Sequence, residues 1–429
     1  MSTKATWLAI GFLSAIFFLH GHSFFRSREQ GEGSFSAEVV ATYVEQGSPE
    51  RKGAMLLLGA YGLVGLFQRH RNRLTLHGRL GTAIVLFLLW ALASIFWTDD
   101  LALTTRRLIL LAMLWLGALG TATRLSYRQI MVLAFSVSSV FLCGGICAEL
   151  FLGTFRPFQS GILFAGVETG YRFCGTIDPN AGAWELGIML ISAFFLAFNI
   201  ERYQRPLFAA GITALCFLVL SKTRTSFAAA MISLIAAWSL VTSKKRIGFV
   251  LLCAVSVICA SYLAFGDSFV KYAQTSMLLG REDSDPATVS TLTGRIPFWT
   301  DLVSTYVVKR PLAGYGFGAF WTPSRLLEFP HMDTTALNGY IDITLDLGLV
   351  GAGAYVLMLA LGAMKSVALY RRSGDVDYVF IFSILIFYAI VMVNESINLI
   401  VCFPTFIVVC LLAKLGFVKA SATRIPSGP

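Results

Sequence analysis

Apolar runs of membrane-crossing length recur along almost the whole of this sequence, and they leave few folds open. A segment of roughly 17–25 apolar residues spans about 30 Å of hydrocarbon as a helix. Lipid offers no hydrogen-bond partners, so each segment must satisfy its own backbone groups, which a helix does and an open strand does not. A transmembrane barrel would show short strands of alternating polarity, and these runs do not alternate. Hydrophobic residues make up 56% and charged residues 14% of 429 positions, with a mean hydropathy of +0.71, so a soluble enzyme is excluded as well.

The expected fold is an all-α polytopic membrane protein of about twelve transmembrane helices with a long, partly helical periplasmic loop. The spans fall near 5–21, 53–67, 80–97, 107–122, 129–152, 183–200, 206–220, 226–242, 247–265, 346–364, 378–394 and 397–414. The first has no convincing small-residue cleavage site and reads as a retained helix. Three regions result: helices one to nine over 1–265, with outer loops at 22–52 and 153–182; a large periplasmic loop over 266–345; and helices ten to twelve with a cytoplasmic tail over 346–429.

Orientation follows from lysine and arginine in short loops. Arg69, Arg71, Arg73 and Arg79, then Arg124 and Arg128, Arg202 and Arg205, Lys244 to Arg246, and Lys365, Arg371 and Arg372 fall on one side, read as cytoplasmic. The other side carries most acids, among them Glu29, Glu32, Glu38, Asp99 and Asp100. The net charge of +10 is mostly this topological signal, not a nucleic-acid footprint. The long loops near 153–182 and 266–345 are then expected outside. Seven of eight cysteines sit within spans and only Cys174 in a loop, with no spacing for a disulfide framework or zinc site.

The loops carry local signals. Asp178-Pro179-Asn180 is a turn before a helix, with Asn180 as candidate cap. From Ile296 to Arg310 the apolar residues follow helical spacing and Pro311 ends the run, which predicts an amphipathic helix at the outer membrane–water boundary. Gly314, Gly316 and Gly318 then make an irregular turn with exposed N–H groups; no strand–glycine–helix unit makes them a dinucleotide fingerprint. Asp283-Ser284-Asp285 reads as a solvated acidic turn.

Outer cations are the candidate binding groups. Arg172 precedes the turn, Lys222 and Arg224 lie in the short loop SKTRTS, and Arg295 follows Gly294. The guanidinium fork pairs with phosphate oxygens through charge-assisted hydrogen bonds, so arginines from several loops suit a diphosphate. His331 is the one histidine of the large loop, and a neutral imidazole can take a proton from an attacking hydroxyl. Glu149, Glu185 and Glu395 lie in or at the ends of spans, where a carboxylate is a functional candidate.

The chain resembles the O-antigen ligase and polymerase superfamily, bacterial membrane glycosyltransferases that use undecaprenyl-diphosphate-linked glycans. The resemblance rests on RFCGTIDPN before a span, SKTRTSFAA, TGRIPFW, RPLAGYGFGAFW and NGYIDITLDLGLVG, in that order, over about residues 130–370. It implies that Arg172, Arg224 and Arg295, with Lys222 beside them, hold the lipid diphosphate, and that a loop histidine activates the acceptor. Asn180, Gly316 and Asn338 are the matching loop- and acceptor-positioning residues. It also implies an inverting transfer that needs no metal, cofactor or nucleotide. One departure stands out. The family's usual HNGY is here Leu337-Asn338-Gly339-Tyr340, and His331 lies six residues earlier. Either an insertion in the loop still delivers His331 to the site, or catalysis here does not use a histidine in this way; Asp333 then orients the imidazole or acts as the base itself.

The expected activity is ligase-like: glycan transfer from undecaprenyl diphosphate to a lipid A core sugar, in lipopolysaccharide or surface-polysaccharide synthesis. The first alternative is a polymerase that extends a growing polysaccharide. The second is a transporter or flippase, which predicts inverted repeats and interrupted spans.

Overall fold

The computed structural model describes residues 3–21, 49–67, 74–76, 78–152, 172–173, 175–242, 295–329, 335–397 and 401–418. The predicted span at 247–265, the acidic stretch 22–48, Asp283 to Asp285, Cys174, His331 and Asp333 lie outside them. Among the described residues all regular structure is helical, apart from an isolated bridge between Leu74 and Val418.

In chain order the long helices are α1 (Thr3–Gly21), α2 (Pro49–Phe67), α3 (Gly78–Ala93), α4 (Leu101–Arg124), α5 (Tyr127–Leu152), α6 (Pro179–Asn199), α7 (Gln204–Leu220) and α8 (Arg224–Val241). Two short helices follow, α9 (Arg295–Leu302) and α10 (Pro323–Glu328), then α11 (Gly339–Ser373), α12 (Asp377–Val391) and α13 (Phe403–Phe417). Seven of the described segments are long and apolar enough to cross a membrane: Gly78–Phe96, Leu101–Arg124, Tyr127–Phe151, Pro179–Asn199, Glu201–Leu220, Arg224–Val241 and Gly339–Ser373.

Side chains set the helix starts. Asp100 caps α4 by accepting from Leu103 N at 2.9 Å. Asp178 caps α6 by accepting from Asn180 N at 2.8 Å, with Pro179 in the first turn, where its missing N–H costs nothing. The cap is therefore Asp178 and not Asn180, because the acid stands one residue before the proline. Asn338 caps α11, accepting from Tyr340 N and Ile341 N. At the other end of α11, Gly374 takes the left-handed conformation.

The centre of the bundle is α13. It is largely apolar on every side, and every residue from Phe403 to Gly416 is buried. One of its few polar side chains, Lys414, turns back to donate to Ala122 O and Leu125 O at 2.8 and 2.7 Å, where α4 ends and its last carbonyls need partners. Alongside, α2 and α4 pack closely through Gly62, Gly117 and Gly120; a Cβ on Gly120 would meet Gly62 backbone.

Hydrogen bonds sort the connections into two ends. At one end Phe173 N reaches Leu220 O (3.0 Å), Asp99 N reaches Tyr315 O (3.2 Å) and Gly339 N reaches Met392 O (2.8 Å). At the other, Thr75 N reaches Phe417 O (2.9 Å), Lys365 Nζ reaches Leu415 O (2.6 Å) and Asn199 Nδ2 reaches Asp377 Oδ1 (3.4 Å).

Helix α11 begins seven residues before the expected span and is broken at Gly348 (φ 67°, ψ −176°). A break strands backbone groups, and the glycine-rich segment supplies their partners. Tyr315 N donates to Leu345 O at 2.9 Å, Gly316 N to Asp346 O at 2.8 Å, and Leu349 N to Pro311 O at 2.7 Å. Trp90 Nε1 donates to Leu347 O at 3.0 Å. A Cβ on Gly348 would overlap Leu312 O, whereas one on Gly353 meets nothing within 4 Å. Gly348→Ala is expected to destabilise the protein by at least ~2 kcal/mol, read as a lower thermal midpoint in detergent. Gly353→Ala is expected to leave the midpoint unchanged or raise it, by up to about 1 kcal/mol from helix propensity. Equal midpoints for the two variants would refute the clamp.

Candidate functional site

The predicted cations lie at the end of the bundle that also holds the glycine-rich segment. Arg172 is fixed against the turn between α7 and α8: its Nε donates to Ser221 O at 3.0 Å. Its Nη2 reaches Asn180 Oδ1 at 3.3 Å and Thr223 Oγ1 at 3.5 Å. Asn180 thus orients an arginine rather than capping its helix. Lys222 adopts a left-handed conformation (φ 52°), with its N–H on Val219 O at 2.9 Å, which lets the chain reverse between two helices in three residues. Arg224 is then the first residue of α8. It stands at the positive end of the helix dipole, so the dipole and both cations act in the same sense on an anion.

Arg295 opens α9 and docks on the turn after α12. Its Nη1 donates to Asn394 O, and its Nη2 lies 3.6 Å from Glu395 Oε1, with side chains 19% and 8% exposed. Asn394 Nδ2 in turn donates to Thr225 Oγ1 at 3.0 Å. A run of bonds therefore connects Arg172 to Thr223 and, through Thr225 and Asn394, to Arg295, with Arg224 between the two threonines in sequence.

The same turn reaches the start of α11. Ser396 Oγ donates to Asp342 Oδ2 and accepts from Asn338 N at 3.1 Å. Asp342, 1% exposed, also accepts from Trp321 Nε1 at 2.8 Å and Ala336 N at 3.0 Å. One buried carboxylate thus holds residue 336, Trp321 and the turn at 396. Leu337, at the place of the family histidine, has φ 52°, a conformation uncommon for a residue with a branched side chain. One turn along α11, Asp346 accepts from Phe320 N at 3.3 Å.

The loop differs from expectation in two respects. The helix predicted over 296–310 is α-helical only through Leu302 and continues as a π-helical turn, Val303–Val307. Its apolar face packs into an aromatic core of its own: Phe298 and Leu302 join Tyr315, Phe320 and Trp321. The N–H groups of the glycine run are not exposed either. Those of residues 315 and 316 go to α11, and Phe317 N goes to Ser94 Oγ at 3.0 Å. Gly316 (φ 104°) lies so close to Thr98 that a Cβ would overlap its hydroxyl. The structure places Gly316 in this clamp, and no described bond joins it to the arginines.

Asp99 ties the loop down, pairing with Arg310 at 2.6 Å and Arg325 at 2.7 Å, while Arg325 also lies over the Tyr315 ring at 4.4 Å. Desolvation, then the hydrogen bond from its own hydroxyl to Glu328 (2.5 Å), pushes the Tyr306 phenol up to about 12, so it stays a donor. Glu149 accepts from Gly175 N at 3.1 Å, and Glu185 from Ser138 Oγ at 2.9 Å. Among the described residues no three of His, Cys, Asp and Glu gather as metal ligands.

Residues 209–356 match the family model described as O-antigen ligase. The matched segment belongs to the O-antigen ligase and polymerase superfamily. It takes in Lys222, Arg224, Arg295, the glycine clamp, Asn338 and both aspartates of α11; Arg172, Asn180 and Glu395 lie beyond it. No curated protein sequence matches the chain.

Asp342, Asp346, Asn394 and Ser396 were not among the residues singled out from sequence. A signal for the first two was present: acids four apart at the start of an apolar run share one helix face, and a carboxylate there needs partners. Asp342→Ala strands three donors at a cost of roughly 1–3 kcal/mol for each that stays buried. Trp321→Phe removes only one donor. Thermal unfolding is therefore expected to rank wild type above Trp321→Phe and that above Asp342→Ala. The reverse order of the two variants would show that Asp342 is not the hub.

Proposed function

We propose that this protein transfers a glycan from an undecaprenyl-diphosphate carrier to a hydroxyl acceptor, with Arg172, Lys222, Arg224 and Arg295 as the diphosphate site. The observation that carries this reading is the bonded run through Thr223, Thr225 and Asn394, which brings arginine-bearing segments from three parts of the chain to one end of a membrane bundle. Membership of the matched segment in the O-antigen ligase and polymerase superfamily supports it. The opposite end carries Arg124, Arg128, Arg202, Arg205, Lys365, Arg371 and Arg372, the basic side by sequence. The site then faces the periplasm of a bacterial inner membrane, where lipid-linked glycans are presented.

The chemistry follows from charge. The acceptor oxygen attacks the anomeric carbon and inverts it, the bond to the diphosphate breaks, and negative charge grows on the leaving oxygen. Preorganised guanidinium groups stabilise that charge where water is scarce. The acceptor proton goes to His331, with Asp333 orienting the imidazole or acting in its place. The energy resides in the diphosphate linkage, so this reading requires neither nucleotide nor metal. Within it, the preferred acceptor is a lipid A core sugar. A polymerase would use a second lipid-linked glycan.

The deciding experiment offers the purified protein a lipid-linked repeat unit with and without lipid A core. Glycan on the core identifies a ligase, longer glycan on the carrier a polymerase, and neither product favours transport. Arg224→Ala and Arg295→Ala are each expected to lower transfer by about 10²-fold or more without loss of the folded protein. Full activity in both would refute the clamp. His331→Ala is expected to lose most activity at unchanged donor affinity; unchanged turnover assigns the proton to another group, Asp333 first.

A further inference from the structure

We propose that Glu395 is an internal competitor for Arg295, a carboxylate that holds the place of the lipid diphosphate and must be displaced when the diphosphate binds. The inference rests on the reading of the arginines as a diphosphate site and adds to it a group that sets affinity and release.

The geometry points to competition rather than simple support. Arg295 is already held by Asn394 O through Nη1, and its Nη2 edge faces the Glu395 carboxylate at 3.6 Å. Phosphate oxygens recognise the same donors as a carboxylate, so the two anions cannot both take that edge. Glu395 also cannot move away with its backbone. Gly339 N bonds both Met392 O and Glu395 O, at 2.8 and 3.2 Å, Asn394 is tied to Thr225, and Ser396 to Asp342 and Asn338. The carboxylate is 8% exposed, so water screens it poorly from an incoming anion.

A glutamine at this position would keep the size and shape of the side chain beside the guanidinium and remove the charge. What the charge adds is weaker binding of the diphosphate, and that matters most after transfer, when the released carrier bears more negative charge than the donor. Glu395 returning to Arg295 then helps to expel the product.

The test uses the full-length protein in detergent and undecaprenyl diphosphate as probe, with Kd measured by thermophoresis and turnover measured on the lipid-linked donor. Glu395→Gln is expected to tighten Kd about tenfold or more, which is about 1.4 kcal/mol, and to slow steady turnover through stronger product inhibition. Glu395→Asp, with its charge withdrawn by one methylene, is expected to fall between wild type and glutamine. Arg295→Ala is expected to weaken Kd. If Glu395→Gln leaves Kd unchanged or weakens it as Arg295→Ala does, Glu395 only positions the guanidinium; the competitor is overturned and the diphosphate site stands. If Arg295→Ala leaves Kd unchanged, or wild type does not bind the probe, the site itself falls and the competitor with it. Should the glutamine variant not fold, the aspartate variant decides: a Kd below wild type supports the competitor and any other value overturns it.

Discussion

A helix that breaks inside a hydrophobic bundle leaves carbonyls and N–H groups that lipid and aliphatic side chains cannot satisfy. Gly348 makes such a break in α11, and much of the loop architecture answers it. The segment from Pro311 to Phe320 lies against the break, pairs with its orphaned groups, and is itself held by Ser94, Trp97, Thr98 and Asp99 from the turn after α3. The clamp fixes the first turns of α11, and with them Asp342. Asp342 fixes the turn at 394–396, and that turn fixes Arg295. Backbone satisfaction at one glycine thus propagates, through Asp342 and the turn it holds, to an arginine of the candidate site.

The helices were legible because lipid imposes a simple rule, a sustained apolar run, and most boundaries lie within a few residues of expectation. The larger discrepancies have local causes. Helix α11 starts at Gly339 because Asn338 caps it there, and the polar Asp342 and Thr344 that hid this turn from a hydropathy reading are satisfied by protein rather than water. The loop helix gives way after Leu302 because its partners are aromatic residues of its own loop, which a flat membrane surface does not supply.

The arginines could be found from sequence because a cation in a short loop of an apolar protein is conspicuous. Their partners could not. Nothing in the order of residues says that Asn394 meets Thr225, 169 positions away, or that Trp321 and Ser396 share one carboxylate. The glycine run misled in an instructive way: free N–H groups and N–H groups committed to a broken helix have the same local sequence, and only the distant break tells them apart.

Among the described helices, α13 comes last in the chain and lies at the centre. The helices before it must therefore surround a groove that stays unfilled until α13 arrives, and Lys414 closes the end of α4 only then. The turn bearing Asn394, Glu395 and Ser396 immediately precedes that helix, so it takes its place in the same late event. Completion of the bundle and final placement of the anion site are thus coupled: a chain interrupted before α13 keeps Thr223, Thr225 and Asn394 but loses the Thr405 hydroxyl that holds the end of that turn at Ile397 O.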